Sequence, residues 1–129
     1  MIFSIIVPVF NEEKTIISIL KELKKVNFKK FEKEIIVIDD GSTDNTKNLL
    51  ENNQDLFNSL HINKKNEGKG SAVKIGLKSA SGQYIVFQDA DLEYDPNDLL
   101  KFEEVFLKFN ADGIIGSRFT YDKYTRSHS

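Results

Sequence analysis

The run Gln88-Asp89-Ala90-Asp91-Leu92-Glu93 follows the apolar segment Tyr84 to Phe87, so a strand there would deliver several carboxylates together to the rim of a sheet. Two such charges about 4 Å apart cost about 1 kcal/mol in water and about 4 kcal/mol in a partly buried site, and a divalent cation relieves that repulsion. Asp89 and Asp91 stand at i and i+2, on one side of an extended chain, and in the loop beyond the strand both can turn toward one ion. Hard carboxylate oxygens suit Mg²⁺ or Mn²⁺, and Mg²⁺ is usually held by one or two carboxylates together with substrate phosphates. The pattern points to the handling of a metal-bound phosphate compound. A lone Asp-x-Asp is also a common way for a strand to end, so the rest of the chain must supply the case.

Other polar groups fall at comparable places. Asp39 and Asp40 end a second predicted strand, Glu34 to Ile38, ahead of Gly41-Ser42-Thr43-Asp44. Turn and cap chemistry accounts for the glycine, the hydroxyls and Asp44, but not for two adjacent aspartates at a strand tip. Lys69 is the basic group within Asn66-Glu67-Gly68-Lys69-Gly70, where glycines would let backbone approach a ligand and the ammonium would meet a phosphate. Neither a Walker loop nor a dinucleotide fingerprint is present, because Val73 occupies the last glycine position. Arg118 follows a predicted fifth strand, Asp112 to Gly116, which puts a guanidinium at its tip.

The elements that must hold these groups alternate between strand and helix. Ile2 to Phe10 is nearly continuous apolar sequence rich in β-branched residues, as in a strand covered on both faces, and Pro8 should end its regular pairing. Asn11 is positioned to cap a helix with Glu12 and Glu13 in its first turn and Ile16, Ile19, Leu20 and Leu23 as its buried stripe. After the strand at Glu34, Ser42, Thr43 or Asp44 can cap a helix through Thr46, Leu49 and Leu50. A weaker strand lies near Leu60-His61-Ile62, and a helix with small residues at Ala72, Gly76 and Ala80 follows the glycine loop. Ser81-Gly82 turns into the strand Gln83 to Phe87. Asp95-Pro96 reads as cap and first helical position for a helix carrying Leu99, Phe102, Phe106 and Phe109. This order implies an α/β fold, a Rossmann-like, mainly parallel sheet with helices on both faces, in which ligands bind at the carboxyl ends of the strands.

Length and composition agree. A chain of 129 residues with 40% hydrophobic content fits one ordinary domain with a real core. A net charge of −2 argues against a broad basic face for nucleic acid, so an anionic ligand must be held locally. The absence of cysteine excludes disulfides, thiolate nucleophiles and cysteine-ligated zinc. His61 and His128 support no nucleophile relay. The apolar N-terminal run is much shorter than the roughly 20 residues that span a bilayer, and it lacks a basic leader or cleavage site, so a cytoplasmic chain is expected.

Taken together, Pro8-Val9-Phe10-Asn11-Glu12, Asp39-Asp40-Gly41-Ser42-Thr43-Asp44, Asn66-Glu67-Gly68-Lys69-Gly70, Asp89-Ala90-Asp91 and Gly116-Ser117-Arg118 resemble, in order and spacing, the family 2 glycosyltransferases of the glycosyltransferase A fold. Within that family the likeness is to the dolichyl-phosphate or polyprenyl-phosphate mannose and glucose synthases. The resemblance implies transfer of a hexose from a GDP- or UDP-linked sugar, with inversion, to a polyprenyl or dolichyl phosphate or a sugar acceptor. By matching positions it implies that Pro8, Phe10, Glu12, Ile38, Asp39 and Asp40 line the nucleoside pocket with Lys69 nearby. Asp89, Ala90 and Asp91 would hold ribose and metal-bound diphosphate, with Asp91 the firmest ligand for Mg²⁺ or Mn²⁺ and Glu93 a further one. Arg118 would meet the diphosphate, and Asp89, Asp91 and Arg118 would carry the catalysis. Phe10 stands where relatives often have Tyr, which keeps an apolar wall and loses a hydroxyl.

Relatives of this kind continue past residue 129 with helices that form the acceptor side and approach the membrane. The expectation is therefore a donor-binding domain over residues 1–118, with 119–129 the start of an acceptor-side segment, and a longer protein associated with the cytoplasmic face of a membrane. Apolar surface left open by the missing part could pair two copies as a homodimer. Two rival functions stand beside this one: a non-catalytic nucleotide-sugar binding module, and a nucleotidyltransferase, which should show a glycine-rich phosphate loop that Pro8 to Lys14 lacks. A receiver-like phosphoacceptor domain would not carry its carboxylates on the fourth strand.

Overall fold

The computed structural model describes residues 1–91 and 95–111. The predicted fifth strand, Glu93, Arg118 and the 119–129 segment lie outside the described residues. Among these residues four strands form one sheet: β1 (Ile2–Val9), β2 (Glu32–Asp39), β3 (Ser59–Ile62) and β4 (Tyr84–Phe87), in the order β3-β2-β1-β4 with every pair parallel. Four helices connect and flank them: α1 (Ile16–Lys25), α2 (Thr46–Glu51), α3 (Lys69–Ser79) and α4 (Leu99–Ala111). The chain runs outward from β1 to β3 and then returns to the other side of β1, so strand order reverses between β1 and β4.

Period-2 alternation divides the core into two layers. Phe3, Ile5, Val7 and Val9 of β1 face α1, α2 and α4, together with Ile35, Val37, Tyr84 and Val86. Ile6 of β1 faces the other way with Ile36, Ile38, Ile85 and Phe87, against Ala72 and Ala80 of the α3 segment. The first layer is closed by aromatic rings, with Tyr84 and Phe106 stacked at 4.1 Å and Phe3 against Phe28 at 4.7 Å. The second is thin because small residues let α3 lie close: a Cβ added at Gly76 would sit 2.6 Å from Ile6 Cγ2.

Two expectations need correction. Pairing with β2 does not fail at Pro8, since β1 stays in register with it through Pro8↔Ile38 and Val9↔Asp39, although the ladder with β4 ends just before Pro8 as expected. The carbonyls of Ile6 and Val9 go to Gln88 and Asp40 respectively, so the nitrogen of Pro8 faces the β4 side, where the ladder ends at Ile6↔Phe87. Nor does Asn11 cap α1. It takes a left-handed conformation, φ 51°, and its Oδ1 accepts from the Thr43 and Asp44 amides at 2.7 and 3.2 Å. The helix begins a turn later, after the amides of Thr15 and Ile16 have both bonded to Glu12 O.

By contrast, Asp95 caps as expected, accepting from the Asn97 amide at 2.9 Å in the short turn Pro96–Asp98 that leads into α4. Glu103 of α4 is buried and gathers the amides of Lys29, Lys30 and Phe31 at 2.7 to 3.1 Å, which fixes the α1–β2 connection.

Candidate donor site at the carboxyl ends of β1 and β4

The carboxyl ends of β1, β2 and β4 open on a cleft of about 350 Å³ beside the point where strand order reverses. This is where an open parallel sheet is expected to receive a ligand. Pro8, Val9 and Phe10 form its floor, and Phe10 is 41% exposed, a large apolar ring left uncovered at the end of a strand. Glu12 lines the same wall. Its amide donates to Thr46 Oγ1 at 3.0 Å, and the buried Thr46 thereby ties the end of β1 to the start of α2.

Opposite that floor, β4 carries Asp89, Ala90 and Asp91 over the end of β1. Gln88 extends the pairing by one step, its amide donating to Ile6 O at 2.9 Å. The turn that follows is held by Thr15, whose hydroxyl lies 2.8 Å from Ala90 O and 3.2 Å from Glu12 Oε2. Its single proton serves one acceptor at a time, with the carbonyl the closer. Asp89 is 13% exposed in its side chain. Its Oδ1 lies 3.3 Å from Lys69 Nζ, and its Oδ2 is buried without a hydrogen-bond partner.

Asp40 acts on the third wall. Its Oδ1 accepts from Asn63 Nδ2 at 3.0 Å and from the Glu67 amide at 2.9 Å, while Oδ2 accepts from the Gly68 amide at 3.0 Å. These bonds pull the 63–68 loop onto β2 and start α3 with Lys69 facing Asp89. Gly68 takes φ 95°, which a residue with a side chain rarely adopts. Gly41 is likewise required, with φ 74° and Lys65 backbone where a Cβ would be. At the outer edge Asp44 accepts from the Thr46 and Glu13 amides. Burial raises its pKa, but the bonds from Thr46 and Glu13 together prevail and hold it below the ordinary aspartate value.

Of the residues singled out in the sequence, Pro8, Phe10, Glu12, Asp40, Lys69, Asp89, Ala90 and Asp91 converge on this cleft. Ile38 and Asp39 do not. Ile38 points into the α3 layer of the core, and Asp39 points to the opposite face, where it lines a second cavity with Ser42, Lys47 and Lys64. Asp39 is fully buried, with Oδ1 accepting from the Ser42 amide at 3.1 Å. Asn66, Gly68 and Ala72 also line the cleft. The glycine-loop run marked the first two, but Thr15 and Thr46 act across long sequence separations that no local pattern carries.

Among the described residues no group of three or more His, Cys, Asp or Glu side chains surrounds one point. A divalent cation here would rest on Asp89 and Asp91 and complete its shell with water and phosphate oxygens, a donor set that suits Mg²⁺ or Mn²⁺. The unpartnered Asp89 Oδ2 fits such a use, since a buried carboxylate oxygen without a partner is costly.

Comparison with known proteins agrees with this geometry. Residues 4–128 match the model of glycosyl transferase family 2. The poly(ribitol-phosphate) beta-N-acetylglucosaminyltransferase TarS of Staphylococcus aureus is 36% identical over 109 residues, covering 83% of this chain and 19% of TarS. The crystal structure of TarS residues 1–349 superposes with a TM-score of 0.70 over 84% of this chain and 32% of that one. A dolichyl-phosphate beta-glucosyltransferase of Dictyostelium discoideum is 38% identical over 128 residues, covering 89% of this chain and 39% of the relative. The chain thus spans less than half the length of these two curated relatives. The mannosyltransferase PcManGT of Pyrobaculum calidifontis, solved with GDP-Man and Mn²⁺, is 29% identical with a TM-score of 0.64, over 76% of this chain and 30% of that one. The sheet and its helices are the nucleotide-binding portion of a glycosyltransferase A fold, and the chain belongs to glycosyl transferase family 2.

Proposed function

We propose that this chain is the donor-binding part of an inverting glycosyltransferase that moves a hexose from a UDP- or GDP-linked sugar to a polyprenyl or dolichyl phosphate. The cleft carries this reading, because it gathers an exposed aromatic ring, two strand-end carboxylates and a lysine at the topological switch point of a parallel sheet. The donor class draws on TarS, solved with UDP and with UDP-GlcNAc, and on PcManGT with GDP-Man. The acceptor draws on the dolichyl-phosphate beta-glucosyltransferase.

In this reading Phe10 and Pro8 form the apolar wall for the base, and Asp40 holds the loop that closes the pocket. Asp89 and Asp91 hold the cation, with Glu93 and Arg118 as further contacts by resemblance. When bound, the cation offsets the charge that develops on the departing diphosphate. Lys69 adds a positive charge on the same side, where it lowers the transition state more than the ground state. A lipid phosphate acceptor is already anionic and needs no general base. Residues 1–118 would form the donor domain and 119–129 the start of the acceptor side. Among the described residues no helix is long and apolar enough to cross a membrane.

Calorimetric titration with UDP and GDP, with and without Mn²⁺, tests the proposal. The expected result is metal-dependent binding of one nucleotide that Asp91→Ala abolishes without changing the thermal melt. Equal binding by wild type and Asp91→Ala, or no binding of either nucleotide with Mn²⁺, would refute it.

A further inference from the structure

Lys69 is the first residue of α3, and two features set its backbone so that the side chain lies along the cleft. Asp40 fixes the Glu67 and Gly68 amides just before it. Gly76 lets α3 lie directly on Ile6. The side chain is itself only 31% exposed, on the wall of the cleft. The ammonium lies 3.3 Å from Asp89 Oδ1, and the other oxygen of that carboxylate is buried with no hydrogen-bond partner. A cation on a well-placed backbone therefore faces one of the two carboxylates to which the proposed function gives the divalent metal.

The two positive charges cannot share this carboxylate without repulsion. A divalent ion would lie about 2.0 to 2.1 Å from its oxygen ligands, and an ammonium kept at its present distance would be a close like-charged neighbour. Lysine is a compact point charge on a four-carbon stem with three rotatable donors, so it can exchange one anionic partner for another by changing rotamer. The diphosphate of the donor is the anion that enters alongside the metal.

We infer that Lys69 is an exchangeable counterion: it neutralises Asp89 while the site is empty of donor and passes to the diphosphate when metal and nucleotide load. This rests on the donor-site reading above. It makes metal and nucleotide binding cooperative, because metal alone breaks the contact between the ammonium and Asp89 without supplying an anion in exchange, whereas metal with nucleotide brings one. Lys69 would thus bias the site toward binding the metal–nucleotide complex over the free ion.

The test compares wild type, Lys69→Met and Lys69→Arg by titration calorimetry, with the paramagnetic resonance of free Mn²⁺ as a second readout. Mn²⁺ is added alone, and then UDP or GDP, whichever the wild type binds, is added at saturating Mn²⁺. Lys69→Met should bind Mn²⁺ alone about three- to tenfold more tightly than wild type and the nucleotide about tenfold more weakly. Lys69→Arg should stay near wild type in both. A lysine that merely stabilised the fold would not produce opposite shifts, and a thermal melt checks that Lys69→Met folds; Lys69→Gln takes its place if it does not. If the wild type binds nucleotide with Mn²⁺ but the neutral variant binds Mn²⁺ no more tightly, the counterion role is overturned while the donor site stands. If the wild type binds neither nucleotide with Mn²⁺, the donor-site reading falls and this inference falls with it.

Discussion

Replacing Asp40 by Asn removes one charge with almost no change of shape, and the structure says what that should do. The native carboxylate accepts three hydrogen bonds, two at Oδ1 from Asn63 Nδ2 and the Glu67 amide, and one at Oδ2 from the Gly68 amide. An asparagine offers a single oxygen. Placed at the Oδ1 position it keeps two bonds in weaker, neutral form and turns its NH₂ toward the Gly68 N–H. Placed the other way it loses both bonds at Oδ1. Hydrogen bonds to a charged group contribute about 1.5–3 kcal/mol each, so the better arrangement still costs about 2–3 kcal/mol. Asn66 Oδ1, also 3.0 Å from the Gly68 amide, retains part of that contact and favours the lower end.

At about 1.4 kcal/mol per factor of ten, the open form of the 63–68 loop should become about 30 to 150 times more populated. Amide hydrogen exchange read residue by residue measures this directly. The Glu67 amide should lose protection by that factor, while the β1 and β2 amides keep theirs. Metal-dependent nucleotide affinity should fall in parallel, since Lys69 then lacks its anchor. Glu67 protection within about threefold of wild type would mean that Asp40 does not hold the loop and would refute the reasoning.

Three further outcomes are expected. Gly76→Ala drives a methyl to 2.6 Å from Ile6 Cγ2 and 2.8 Å from Ile6 Cδ1 in a buried layer; overpacking of this kind should lower stability by about 1–3 kcal/mol in a urea melt. Glu34 should make the fold acid-sensitive. Burial raises its pKa, but bonds from the Ser81 amide and the Ser4 and Ser81 hydroxyls outweigh that and leave it below the ordinary 4.5. A depressed carboxylate contributes stability that is present above its ordinary value and lost as pH falls through the folded one. Urea midpoints at pH 7 and pH 3 should therefore differ less in Glu34→Gln than in wild type. Glu103→Gln leaves only one oxygen for the amides of Lys29, Lys30 and Phe31, and thermal unfolding should show a loss of about 2–4 kcal/mol, with nucleotide binding of the surviving folded chain unchanged.

Local patterns carried β1, β4 and α1 well because those two strands are covered on both faces and that helix has a clear apolar stripe. The apolar run at Ile2 and the stripe Ile16, Ile19, Leu20 and Leu23 allow one reading, and both lie where expected. The misreadings are of another kind. Asn11 precedes an acidic helical turn and so looks like a cap, yet the amides of Thr43 and Asp44, which β2 brings alongside β1, take its side chain. Pro8 looks like a breaker, and it is one only on the β4 side, toward which its nitrogen turns and where the ladder ends, while pairing with β2 continues to Val9. Glu103 carries no local signal at all, since its partners lie more than 70 residues earlier. What local sequence cannot show is which distant backbone donors a side chain will meet.

The same limit governs the acidic groups at the sheet edge, and it decides how substitutions there should be understood. Asp39 and Asp40 look equivalent as neighbours in sequence, but strand alternation sends them to opposite faces, so only Asp40 reaches the cleft. Even there, both of its oxygens already accept bonds from the 63–68 segment. A loss of nucleotide binding on mutation of Asp40 would therefore report loop placement as readily as direct contact, and hydrogen exchange is what separates them. Asp89 differs again, with one oxygen facing a lysine and the other buried and unpartnered. A carboxylate engaged by three rigid donors has little left to offer a cation, whereas one held by a single movable ammonium can be released to it. On that ground a metal bound in this cleft would rest on Asp89 and its neighbour Asp91 rather than on Asp40, while Asp39, whose Oδ2 is likewise buried and unpartnered, faces the other way.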